Sequence, residues 1–130
     1  MADLDREDVR ALIRSCVPST DALEVFILLS SAPERTWSVQ DLTSAMQGTS
    51  VIPATVDAYL DAFRSCGLVV GDRVAGFQYQ PATPEIAIVA EHIVRAYNER
   101  PVTLIRTIYS IADAKAIQGF ANAFRIRKDS

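Results

Sequence analysis

Val9, Leu12, Ile13, Cys16 and Val17 recur at helical spacing behind an acidic start, and predict a first helix from about Asp5 to Ser15 that Pro18 stops. A second helix, capped by Thr20 or Asp21, carries the continuous apolar run LEVFILLS and ends before Pro33; so much hydrocarbon implies burial on most sides. Trp37 is a short edge strand or an anchor. Ser38 and Asp41 form a capping-box variant that opens a short helix, VQDLTSAMQ, ended by Gly48. Ser50 is expected to cap the next helix, with Pro53 in its first turn and Val56, Leu60 and Phe63 as its inner stripe, Tyr59 alongside. Gly67 supplies a left-handed stop. Leu68–Asp72 and Phe77–Gln80 then alternate as two strands, and Asp72 and Gly76 are turn chemistry for the hairpin between them.

Beyond the Pro81 to Pro84 linker, Ile86, Val89, Ala90, Ile93, Val94 and Tyr97 trace one face of a longer helix, interrupted at Asn98 to Pro101. Leu104, Ile105, Ile108 and Tyr109 predict a shorter helix. Ser110 with Asp113 caps a last one bearing Ile117, Phe120, Ala121 and Phe124, and the tail RIRKDS is expected to fray. The expected fold is mostly α with a small β-hairpin, in one domain over residues 1–130. Its core spans 20–81, with one flanking N-terminal helix (1–18) and about three C-terminal helices (84–126).

Two helices joined by a short turn at Gly48 and Thr49, followed by a hairpin, make a helix-turn-helix with a wing. The segment Ser50-Val51-Ile52-Pro53-Ala54-Thr55-Val56, followed by Leu60, Phe63 and Gly67-Leu68-Val69, resembles the winged helix-turn-helix of bacterial transcriptional regulators. The similarity is closest to the broad group that includes MarR-type and ArsR-type repressors, and it covers about half the chain. It implies a recognition helix that enters the major groove, terminal helices that dimerise, and, in some similar regulators, an effector pocket.

Charge alters that picture. Residues 20 to 81 hold seven acidic side chains against Arg35, Arg64 and Arg73 alone, within a net charge of −3. Nucleic-acid binders need cations to displace counterions from phosphate. The outward positions of the helix that the resemblance assigns to recognition read Ile52, Ala54, Thr55, Asp57, Ala58, Tyr59 and Asp61, of which only Thr55 and Tyr59 donate well. Two functional readings follow. In the first, a dimer binds duplex DNA through Thr55, Tyr59, Arg64 and Arg73, helped by the basic Arg125, Arg127 and Lys128. In the second, the same scaffold is a protein-binding module that uses Val51, Ile52, Ala54, Asp57 and Ala58.

Other chemistry is thinly represented. His92 is the only histidine and reads as a boundary residue; the five glycines are scattered, so there is no phosphate loop. No catalytic residue, metal site or cofactor is expected. Cys16 and Cys66 lie outside any metal-binding spacing and read as separate buried thiols. Trp37, Tyr79, Tyr97 and Tyr109 are the candidates to line a small-molecule effector pocket. With no apolar run of membrane-span length and no secretory signal at MADLDREDVR, a cytoplasmic protein is expected, and the surplus of apolar residues after Pro84 points to a homodimer through the first helix and the helices after Pro84.

Overall fold

The structure is a computed structural model that describes residues 4–128, with side chains as far as Ala114. Among the described residues it is mostly helical with a small antiparallel sheet. In chain order the elements are α1 (Glu7–Cys16), α2 (Thr20–Ser31), β1 (Thr36–Trp37), α3 (Val39–Ala45), α4 (Pro53–Ser65), β2 (Val69–Asp72), β3 (Gly76–Tyr79), α5 (Pro84–Glu99) and α6 (Pro101–Lys128). The sheet runs β1-β3-β2, so β3, last in sequence, is central: Trp37 faces Phe77 and Val70 faces Gln78.

Local sequence accounts for most of the boundaries. Ser19, one residue before the expected caps, accepts from the Ala22 amide and starts α2. The reciprocal box at α3 is complete: the Asp41 amide donates to Ser38 Oγ at 2.9 Å, and the Ser38 amide donates to Asp41 Oδ2 at 3.1 Å. The bonds from Ser38, backbone first and then hydroxyl, hold the Asp41 carboxyl below its ordinary value, and Arg35 adds a weaker pull.

At α4 the expected cap is displaced. Ile52 occupies the N-cap position with no side-chain bond, and Pro53 at the first helical position removes an amide that would otherwise lack a partner. The far end closes through Gly67 at φ +77°: its amide donates to the Arg64 carbonyl and the Leu68 amide to the Phe63 carbonyl, a Schellman pair. In the hairpin turn, Asp72 Oδ1 accepts from the amides of Val74 and Ala75.

The core lies where α2 meets α4 and the sheet. Ala22, Leu23, Val25, Phe26 and Leu29 bury most of α2, as its unbroken apolar sequence requires. The Phe26 ring meets Phe63 and Tyr79 edge-on, with centroids 6.1 and 6.0 Å away. Val56, Leu60 and Phe63 are the buried face of α4. A second layer, α1 against α4, α5 and α6, buries Val9, Ile13, Ala90, Ile93, Leu104 and Ile108.

The C-terminal region departs from expectation. Two helices follow Pro84 instead of three, because α6 runs unbroken through Ser110 and Asp113 for 28 residues, about 42 Å. No proline or glycine lies between Pro101 and Gly119, and the alanines at 112, 114 and 116 favour continuation over a new cap. The helix also extends through Lys128, past the point where fraying was expected. The side chains of Ile117, Phe120, Ala121 and Phe124 lie outside the described residues.

Candidate functional site

The face built by α4 and the β2–β3 hairpin is organised by two arginines that tie the elements together, one through an ion pair and one through a hydrogen bond. Arg73, in the hairpin turn, grips Asp57 with both arms: Nε donates to Oδ1 at 2.8 Å and the terminal nitrogen to Oδ2. The Asp57 side chain is only 19% exposed, whereas Arg73 is 70% exposed. A planar guanidinium on a carboxylate is a directional, charge-assisted contact, so the pair fixes the hairpin against the helix. One helical turn further on, Arg64 donates to Asp61 Oδ1 at 3.0 Å and to the Gly71 carbonyl at 3.2 Å.

Arg35, the remaining cation of residues 20–81, stacks on the Trp37 ring at 3.6 Å and stands 4.0 Å from Asp41. All three cations of the segment are therefore engaged by aspartates of α3 and α4. The carboxylates that looked repulsive toward phosphate in the sequence are neutralised. The cost is that the arginines expected to meet phosphate are occupied.

Between these pairs the face is apolar. Ile52 is 57% exposed, Ala54 and Ala58 are exposed, and Val51 is half-buried. Val70 is exposed on β2, and Val74 at the hairpin tip is 98% exposed. Alongside, a cleft of about 510 Å³ between α3 and the start of α4 is lined by neutral groups that include Gln40, Thr43, Gln47 and Thr49.

The other expected contacts disperse. Tyr59 turns toward the start of α2, where its hydroxyl lies 3.4 Å from Ser19 Oγ. Thr55 is half-buried in the first turn of α4. The side chains of Arg125, Arg127 and Lys128 lie outside the described residues. His92 approaches Arg6, Nε2 to guanidinium nitrogen 3.0 Å, in a cluster where Arg6 also pairs with Asp8.

The four aromatic residues expected to share an effector pocket do not meet. Trp37 is buried beneath Arg35, Tyr79 packs on Phe26, the Tyr97 hydroxyl donates to the Glu24 carboxylate at 3.2 Å, and Tyr109 is exposed on α6. A different concavity exists. Between α1 and α5 lies an open, mostly apolar groove of about 390 Å³, walled by Leu12, Ser15, Glu85, Ile86 and Val89, with Cys66 at its edge.

Sequence reasoning missed a pairing of the two cysteines. Cys16 ends α1 and Cys66 caps the C-terminus of α4, and their sulfurs are joined as a disulfide, with Cα atoms 6.7 Å apart. The separate-thiol reading is corrected: the packing of α1 across α4 brings together residues 50 positions apart, and nothing periodic in a sequence announces such a meeting. Among the described residues, no group of three or more His, Cys, Asp or Glu could hold a metal ion, and no helix is long and apolar enough to cross a membrane. Comparison with protein-family models, with curated proteins and with solved structures found no match for this chain.

Proposed function

We propose that the chain is a non-enzymatic winged helix-turn-helix protein, acting as a cytoplasmic homodimer, whose α4–hairpin face docks a protein partner instead of reading duplex DNA. The order helix, strand, helix, helix, hairpin, with the first strand added to the hairpin, supports the winged-helix reading. The choice of ligand rests on one observation: Arg64 and Arg73, the two arginines of this face, are each held by an aspartate of α4.

Affinity for DNA grows with the number of phosphates neutralised and counterions released. Moving Arg73 to a phosphate would strip Asp57 of its partner and leave that carboxylate facing the same negative backbone. The exchange gains little. A protein partner makes no such demand: it covers Ile52, Ala54 and Ala58 with its own hydrocarbon and leaves the ion pairs at the rim, where charges cost least.

The DNA reading retains one support, the layout of the fold itself, and on it the basic C-terminus, Arg125, Arg127 and Lys128, would supply the phosphate contacts. Dimerisation is supported by α6, which presents Val102 and Tyr109 to solvent two turns apart.

The protein reading is tested by putting charge into the apolar strip. Ile52→Glu combined with Ala58→Glu changes exposed side chains only, so the melting temperature stays within about 2 °C of wild type. Proteins retained by the wild-type chain are lost from the double variant and kept by Ile88→Glu, at an exposed position of α5. Equal retention by all three proteins contradicts the assignment of the face.

A further inference from the structure

We infer that Cys16 and Cys66 form a reversible redox clamp between α1 and α4, in which Cys66 is the sulfur that exchanges with low-molecular-weight thiols entering along the α1–α5 groove. The two sulfurs differ in access. Cys16 is wholly buried, whereas Cys66 is half-buried and borders the open groove walled by Leu12, Ser15, Ile86 and Val89. Thiol–disulfide exchange requires a thiolate to approach a sulfur along the S–S axis, so only the accessible member of the pair is attacked.

The dithiol state is also accommodated. The Cys16 sulfur lies 3.6 Å from the Ala62 carbonyl, which accepts from the thiol once the bond is open, so reduction leaves no buried polar group stranded. In a reducing compartment, a disulfide that small thiols can reach is a reporter of redox state more than a structural staple.

The chemistry balances in two exchanges. A small-molecule thiolate attacks Cys66 Sγ; the bond to Cys16 Sγ breaks, and Cys16 leaves as a thiolate that takes a proton. A second thiolate then attacks the small-molecule sulfur of the mixed disulfide and releases Cys66 as a thiol and the low-molecular-weight disulfide. The reverse sequence, driven by that disulfide, oxidises the pair. Closing the bond ties the C-terminal ends of α1 and α4 together; opening it removes the only covalent cross-link between them. The inference is independent of what the α4 face binds.

The experiment equilibrates the full chain in mixtures of reduced and oxidised glutathione without denaturant, then quenches, alkylates and measures intact mass. The wild type is expected to interconvert between dithiol and disulfide, with the disulfide form melting about 10 to 15 °C higher, as expected for closing a loop of this length. Cys16→Ser, which keeps a donor for the Ala62 carbonyl, is expected to take one glutathione on Cys66 under native conditions, and Cys66→Ser to take none on Cys16. Leu12→Phe, which narrows the groove, is expected to slow reduction of the wild-type pair without lowering its melting temperature. A pair that stays dithiol throughout, a disulfide that yields only in denaturant, equal labelling of Cys16 and Cys66, or reduction unaffected by Leu12→Phe would each overturn the proposal.

Discussion

Phe26→Ala lowers the stability of the domain by about 4 kcal/mol, near the middle of the range for deleting a buried aromatic ring. The ring has no solvent exposure and is the point at which three elements meet: α2 carries it, α4 presents Phe63 to its edge, and β3 presents Tyr79. Truncation removes the transfer free energy of the ring, both edge-to-face contacts and the support that keeps the sheet on the helices. Against a total of roughly 5 to 15 kcal/mol for a domain of ordinary stability, this brings the protein close to its unfolding threshold. Thermal and urea denaturation followed by far-ultraviolet circular dichroism should show one transition displaced downward by about 15 °C. Leu29→Ala, which opens a smaller cavity on the same helix, should fall between Phe26→Ala and wild type.

Gly71→Ala costs about 3 kcal/mol, and the loss is concentrated in the hairpin. Gly71 sits at φ +119°, a backbone conformation that a residue with a Cβ rarely adopts, and an added Cβ would stand 2.0 Å from the Gly76 carbonyl oxygen. That oxygen belongs to the neighbouring strand's backbone and has no rotamer through which to withdraw. The β2–β3 pairing must therefore open. Because Arg64 donates to the Gly71 carbonyl and Arg73 grips Asp57, opening the hairpin also releases these two ties to α4. Amide hydrogen exchange should accelerate across Val69–Tyr79 while the α2 amides change little. Val74→Ala, at the fully exposed tip of the same turn, should leave exchange and melting temperature unchanged.

Features that were legible in the sequence are those written locally. The Ser38–Asp41 box needs two residues three apart, the Val56–Leu60–Phe63 stripe needs one helical period, and Gly67 needs a stop after that stripe; the structure contains all three. The hairpin was legible for the same reason, since Asp72 and Gly76 carry its turn within five residues. The end of α5 was legible at Pro101, but the beginning of a separate helix at Ser110 was not real. A serine and an aspartate at capping spacing act as a cap only where the chain has already left the helix, and here nothing interrupts it.

At the candidate site, identities were legible and relations were not. Ile52, Ala54, Asp57 and Ala58 were recognisable as an unusual outward surface for a helix in this position. That Asp57 would be neutralised by Arg73, 16 residues away, depends on how the hairpin folds back on the helix, and that Cys16 would meet Cys66 depends on how α1 crosses α4. Tyr59 borders both faces of the helical wheel and so reads from sequence as an outward donor; the nearby Ser19 hydroxyl and the packing against α2 draw it in.

On the proposed reading the aspartates of α4 hold Arg64 and Arg73 away from nucleic acid, and a salt titration of duplex affinity tests this most directly. Fluorescence anisotropy with a mixed-sequence duplex, run from low to physiological salt, should show weak binding by the wild type with a shallow dependence on salt. The Asp57→Asn, Asp61→Asn double variant, which removes the carboxylates that pair with Arg73 and Arg64, should bind more tightly at low salt and add about two units to the slope of log affinity against log salt. Tight wild-type binding with a steep salt slope that Arg73→Ala reduces would contradict the account.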